Sequence, residues 1–352
     1  MSGRVPRFHR QMILPGFSEE AQARLRRSHA VVVGCGALGC ASIDLLVRAG
    51  VGRLTLIDRD EVEESNLQRQ SLFTDEDARR SAPKAEAASR RVRAIDPSCE
   101  VRGWVDDFRA ENARSYAEGA SVLIDGLDNF EGRYLLNDVA LELKLPYIYC
   151  AAVGYEGMSF PVIPSEGPCL RCIFPEPQPV GSAPTCDRAG IFGPAIAIAA
   201  GRAMATAIRL LAGVRCMEDR ALVRFDLASG RESRIALDSA TRSRECPACG
   251  RGLREFLSGG RAARTATLCG RNAVQVLPDR LGAIDLADLA ARLAPHGAFA
   301  IDAGRLRGEL AAEPTVDGQC FELTIFDDGR TIVRGSPDPA DALRIYSRYI
   351  GH

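Results

Sequence analysis

The chain has 352 residues, with 45 Lys and Arg against 46 Asp and Glu and a formal net charge of −1, a balance that offers no bulk attraction to nucleic acid or to an anionic membrane. Its length suits two domains, the larger with ample chain to bury a core. The opening MSGRVPRFHRQ has no apolar stretch and is not a secretory leader, so the twelve cysteines imply reduced thiols and metal in a cytoplasmic protein rather than disulfides.

In chain order, Ser18 to Arg27 predicts a short helix, with Ser18 as its cap and Glu19 and Glu20 in its first turn. Arg10 lies just ahead of it. Val31 to Val33 is a β-branched run of the kind buried in parallel sheets. Gly34-Cys-Gly36-Ala37-Leu-Gly39 follows, then an apolar helical segment through Ile43, Leu45, Leu46 and Val47 that stops at Gly50. A second strand, Leu54 to Ile57, ends in Asp58. Glycines that admit a phosphate, free N–H groups at a helix start and an acid for a ribose hydroxyl together indicate a nucleotide site.

A dehydrogenase has the same features. Asp60, Ser65, Asn66, Arg69 and Lys84 lie close downstream, and among them Arg69 and Lys84 supply the cations that a triphosphate needs together with a metal, where a bridging pyrophosphate does not. Asn66 and Arg69, three apart, share a side of the chain if a helical turn forms there. Pro83 to Ala94 predicts a helix begun by proline, and Cys99 to Val105 a strand. The strand Val122 to Ile124 leads into Asp125-Gly-Leu-Asp128-Asn129, which places Asp128 at the carboxyl end of a strand, where ligands of open α/β sheets bind. Asn129 also suits a helix cap for the segment after it. Pro146 to Ala152 is a further strand.

Cys169-Leu-Arg-Cys172 and Cys246-Pro-Ala-Cys249 are two thiolate knuckles that together would close a tetrahedral Zn²⁺ site with no open position, a structural metal. A redox CxxC is the competing reading. The proline-rich Pro175 to Cys186 is an exposed connection that delivers Cys186 near a helix start at Gly193-Pro194, where a thiolate is favoured. Ile191 to Leu211, broken by Arg202 and Arg209, is expected to be a buried helix and not a membrane span. Cys35, Cys40, Cys99 and Cys150 fall in apolar elements, as small core residues do. Beyond a linker at Ser258 to Arg264 comes a small α/β module. Its parts are a strand at Asn272 to Leu277, a helix at Leu286 to Leu293, a hairpin turning at Asp327-Asp-Gly329-Arg, and a last helix at Ala340 to Tyr349.

Several of these stretches occur together in one family. Arg7-Phe-His-Arg10-Gln-Met-Ile-Leu, the glycine turn, Asp58-x-Asp60, Asn66-Leu-Gln-Arg69-Gln, Pro83-Lys84, Asp125-Gly-Leu-Asp128-Asn129, Thr185-Cys186 and the two CxxC pairs resemble the ThiF/MoeB/HesA family over about residues 4 to 250. Members are relatives of the ubiquitin-activating enzymes and adenylate the C-terminus of a small ubiquitin-like protein. The resemblance implies a Rossmann-like, doubly wound α/β adenylation domain at 1–255 with structural zinc, a linker at 256–266, and a small α+β domain at 267–352 of unassigned role. It implies ATP held by Gly34, Gly36, Ala37, Gly39, Asp58, Asp60, Ser65, Asn66, Arg69, Lys84, Asp128 and Asn129, with Mg²⁺ on Asp128. Arg10 would act on the partner protomer's triphosphate, hence a homodimer, and Cys186 is the position that links covalently to the carrier in some members. The expected carrier is a ubiquitin-like sulfur carrier ending in Gly-Gly.

The chain departs from the family pattern twice: Ala37 stands where a further glycine is usual, and Arg80-Ser81-Ala-Pro-Lys84 where Gly-x-Pro-Lys is usual. The tail is not a rhodanese-like sulfur carrier, because neither Cys269 nor Cys320 begins a CxxxxR loop. Activation of a small molecule or a tRNA base, a nicotinamide-dependent dehydrogenase, and a scaffold that keeps only the fold stay open on sequence alone.

Overall fold

A computed structural model describes residues 6–175, 190–214, 220–258, 265–268, 272–277, 284–302, 304–315 and 318–350. The chain forms two compact units, Met1–Arg261 and Ala262–His352.

The first unit is built on an eight-stranded sheet of order β3-β2-β1-β4-β5-β6-β7-β8. β1 (His29–Val33), β2 (Arg53–Ile57), β3 (Glu100–Trp104), β4 (Val122–Asp125) and β5 (Tyr147–Val153) are mutually parallel. β6 (Glu156–Val162), β7 (Ala221–Asp226) and β8 (Arg231–Ala236) continue the sheet as an antiparallel meander. β1 sits between β2 and β4, so the chain reverses its direction of winding there, and a crevice opens at the carboxyl ends of these strands.

Alternation along β1 separates two cores. Ala30 and Val32 face a layer made by α2 (Glu19–Arg27), α3 (Ala37–Ala49), α5 (Lys84–Ile95) and α9 (Gly193–Ala212), while Val31 and Val33 face α6 (Ala113–Ala117) and α7 (Phe130–Leu143). Among the described residues this unit also has three shorter helices, α1 (His9–Met12), α4 (Asp75–Arg79) and α8 (Leu170–Ile173). Ser18 caps α2 by accepting from the Ala21 N–H. Helix α9 is long and apolar enough to cross a bilayer, yet Ala195, Ile196, Ala199, Ala200, Ala203, Met204 and Ala207 are buried in the helical layer, as expected of a core helix.

The linker expected at 256–266 is occupied at both ends. Phe256 and Leu257 are buried in the first unit, where Phe256 stacks on Tyr134, and Thr265–Leu268 is already a strand. The second unit is a six-stranded antiparallel sheet of order β11-β12-β13-β14-β10-β9. Its strands are β9 (Thr265–Leu268), β10 (Ala273–Val276), β11 (Ala298–Asp302), β12 (Arg305–Pro314), β13 (Cys320–Phe326) and β14 (Thr331–Arg334). Helices α10 (Leu286–Leu293) and α11 (Pro339–Tyr349) pack on one face of it. The expected order of strand, helix, hairpin and helix therefore omitted β9, β11 and β12. β11 is exposed or half-buried along its length and so shows no apolar face, whereas β12 does alternate, with Arg305, Arg307 and Glu309 between Leu306 and Leu310, a strand signal that the expected order passed over.

Candidate active site

The glycine turn connects β1 to α3 in left-handed backbone at Gly34 (φ 90°). Three glycines interlock. A Cβ on Gly39 would stand 2.0 Å from the Gly34 carbonyl oxygen, and one on Gly126 2.1 Å from the same atom. The Gly126 N–H bonds the Val33 carbonyl, joining the loop after β4 to the end of β1. Gly36 is the α3 N-cap with no side-chain partner, so the first N–H groups of a 13-residue helix are presented to the crevice as an anion cradle. Ala37 is the first residue of that helix.

Asp58, expected as a ribose ligand, clamps this turn. Its two carboxylate oxygens accept the Cys35 N–H at 2.6 Å and the Asp60 N–H at 2.7 Å. Burial pushes its carboxyl above the usual range, although the Lys84 ammonium and both N–H bonds oppose the shift. Each oxygen keeps a lone pair for a hydroxyl. Lys84, the first residue of α5, is buried and donates to Asp60 Oδ2 at 3.1 Å. The left-handed position at the end of α4, where the family pattern has glycine, is filled by Ser81 at φ 45°.

A helical turn does form at Glu64–Asn66. Asn66 is buried, with its Oδ1 accepting from the Glu63 N–H, while Arg69 Nη1 reaches back to the Ser65 carbonyl at 2.8 Å. Ser65 is exposed. Asp128 is exposed beyond β4 and accepts from Asn129 Nδ2 at 3.2 Å, while Asn129 caps α7 through the Gly132 N–H. Arg10 is exposed on α1 and, among the described residues, has no ion pair or hydrogen bond from its side chain. Cys186 lies outside the described residues.

Two contributors were missed by the sequence reading. Arg133, from the second turn of α7, donates to Asp125 Oδ2 at 3.2 Å and to the Leu127 carbonyl at 2.7 Å, and Tyr147 donates to the same carboxylate at 2.8 Å. This buried network fixes the loop that carries Asp128. Arg59 pairs with Asp107 at 3.1 Å across the loops after β2 and β3. Each pairing depends on sequence-distant partners; only the DxD and Asp125-x-x-Asp128 patterns mark their places.

The four CxxC sulfurs lie within 4.8 Å of one another, with Cys169–Cys246 at 3.6 Å and Cys172–Cys249 at 3.4 Å. These separations are too long for disulfides and close to the edge of a thiolate tetrahedron about 3.8 Å on a side, which follows from Zn–S bonds of about 2.3 Å. The donor set fits zinc. Between the first pair, Arg171 lies over the Tyr134 and Phe256 rings and donates to the Pro175 carbonyl and to Glu255.

Comparison with known proteins places this geometry. The ThiF family is matched over residues 8–248. The chain belongs to the ThiF family. It is 39% identical over 348 residues to the sulfur carrier protein ThiS adenylyltransferase of Bacillus subtilis, covering 98% of this chain and 99% of that protein. It is 38% identical over 251 residues to the sulfur carrier protein adenylyltransferase of Thermus thermophilus, covering 70% and 91%. Among solved structures, E. coli MccB with ATP superimposes with a TM-score of 0.61 at 20% identity, covering 70% of this chain and 75% of that one, which shows a shared fold.

Proposed function

We propose that this protein is an adenylyltransferase that activates the C-terminal carboxylate of a small ubiquitin-like sulfur carrier with ATP and releases pyrophosphate. The reading is supported by the interlocked glycine cradle at the end of β1 and the buried Lys84–Asp60 pair, in a chain that matches a ThiS adenylyltransferase over nearly its whole length.

The α3 N-terminus and the Gly34–Gly39 backbone take the phosphates, and Asp58 takes the ribose. Lys84 exchanges part of its pairing with Asp60 for the phosphate oxygens. Arg69, half-buried and bonded to the Ser65 carbonyl of its own turn, swings toward the departing β- and γ-phosphates, joined by Arg10 of the partner protomer. Asp128, the exposed carboxylate beyond β4, would hold Mg²⁺, which would neutralise phosphate charge when bound. The carrier carboxylate attacks the α-phosphorus in line. The bond from that phosphorus to the bridging oxygen breaks, pyrophosphate leaves with the electron pair, and an acyl-adenylate remains. The nucleophile is already an anion, so no general base is needed. Capture of the acyl group by the Cys186 thiolate, which forms a thioester and expels AMP as the acyl–phosphate bond breaks, follows in this scheme and is no part of adenylation.

The Cys169, Cys172, Cys246 and Cys249 set is closed and holds structural zinc, tying the end of the adenylation unit to its middle. We place the enzyme in the cytoplasm as a homodimer. Ile13, Leu14, Leu45 and Ile198 are exposed on or beside the helical layer that carries α1, which suits a covered apolar face. Mass spectrometry of a Gly-Gly carrier incubated with enzyme and MgATP tests the reading: an AMP adduct on the carrier is expected, and an AMP adduct on a small metabolite or a tRNA instead would overturn it.

A further inference from the structure

Arg59 stands between Asp58 and Asp60, yet none of the phosphate-binding roles falls to it. Its guanidinium leaves the end of β2 and donates to Asp107 Oδ2 at 3.1 Å, with only 17% and 20% of the two side chains exposed. The loop that offers Asp107 is stiffly built. Asp106 accepts from Tyr116 Oη at 2.5 Å, from Asn112 Nδ2 at 3.1 Å and from Arg109, and Asn112 also donates to the Asp107 carbonyl at 2.8 Å. Burial works against the charge on Arg59, but Asp107, Asp60, Asp128 and Asp58, in that order, raise its affinity for the proton, so it is a permanent cation. Four carboxylates therefore lie about Arg59, and two of them, Asp58 and Asp60, also face Lys84. An acid-rich rim of this kind holds a divalent cation well and repels a polyphosphate.

We propose that Arg59 is a positioning residue for adenylation: by neutralising the Asp58, Asp60, Asp107 and Asp128 cluster, it allows a polyanionic nucleotide into a site that also gathers a divalent cation. It rests on the adenylation reading and adds the element that sets nucleotide affinity. Its effect falls on ATP binding and on the Mg²⁺ requirement, and not on the rate of the chemical step. At an effective dielectric of about 20, loss of one such charge weakens binding of a polyanion by about 10- to 100-fold.

The test is calorimetric binding of ATP to the full chain at equimolar and at excess Mg²⁺, paired with pyrophosphate-exchange kinetics. The variants are Arg59→Met, Arg59→Lys and the double variant Arg59→Met with Asp107→Asn, each checked for a wild-type melting profile. Expected are an ATP Kd raised about 10- to 100-fold in Arg59→Met that narrows at excess Mg²⁺, and recovery in Arg59→Lys and in the double variant, because each restores the charge balance. An unchanged Kd in Arg59→Met would overturn the proposal. So would an equal deficit in all three variants at every Mg²⁺ concentration, which would mark a packing role, or a fall in kcat at constant KM. If the wild type binds ATP but exchanges with no carrier, the adenylation reading fails, and the binding constants still decide the role of Arg59.

Discussion

Replacing Gly39 with alanine tests whether the cradle is as closely packed as its geometry implies. The added Cβ would stand 2.0 Å from the Gly34 carbonyl oxygen, 2.9 Å from the Gly34 carbonyl carbon and 3.8 Å from the Gly126 Cα. The first two atoms are backbone, so no side chain can turn aside, and relief to an ordinary contact of 3.4 Å needs a displacement of about 1.4 Å. Overpacking of this kind costs about 1–3 kcal/mol of stability. A shift of about 1 Å in groups that position a substrate costs on the order of 100-fold in rate. Gly36→Ala is the control. Its Cβ would meet nothing closer than 3.8 Å, and its φ is −71°, so the fold should lose less than about 1 kcal/mol, the scale of a changed N-cap. Chemical denaturation and ATP calorimetry on both variants decide the matter. A Gly39→Ala protein with wild-type stability and wild-type ATP affinity would refute the packing argument.

Ser81→Gly relieves a left-handed serine and should raise stability by about 0.5–1 kcal/mol, read as a melting temperature higher by a few degrees. Asp138 is 1% exposed and accepts the Phe256 and Leu257 N–H groups, and burial lifts its carboxyl to about 6. Its folded value lies above the unfolded value of about 3.9, so its contribution is full below that value and is lost as pH rises through about 6, a cost on the order of 3 kcal/mol above it. Asp138→Asn keeps an acceptor oxygen and should flatten this slope, making the variant the more stable protein at pH 8, as urea denaturation at pH 5 and pH 8 will show. Chelation of zinc should lower the melting temperature together with the metal content, and Cys172→Ser should purify with less than one zinc per chain. Cys186→Ala should leave pyrophosphate exchange at its wild-type rate, because the thiol acts after the acyl-adenylate has formed.

The nucleotide cradle and the cysteine tetrad were legible because each is written in short local signals: glycines at fixed offsets after an apolar run, and two CxxC units. Ser18, Asn129 and the Asp327-to-Arg330 turn were readable for the same reason, since capping and turn chemistry act within four residues. The antiparallel extension was not. β8, with the sequence RESRIA, is an edge strand exposed along its whole length, so no face of it had to become apolar. The bonds of Asp58 to the Cys35 and Asp60 N–H groups and of Asn66 to the Glu63 N–H were not legible from composition, because which loop N–H groups a polar side chain serves depends on the fold of the loop. The Arg59–Asp107 pair joins residues 48 apart, and the contact of Phe256 with Tyr134 spans more than a hundred. Contacts of that reach follow from strand order, which no local pattern states.

The most direct test of the account is ATP–pyrophosphate exchange by the zinc-loaded protein, measured with and without ubiquitin-like carriers ending in Gly-Gly. The account predicts exchange that depends on a carrier and is abolished in Asp128→Ala. Measurable ATP binding with no exchange on any carrier would contradict it.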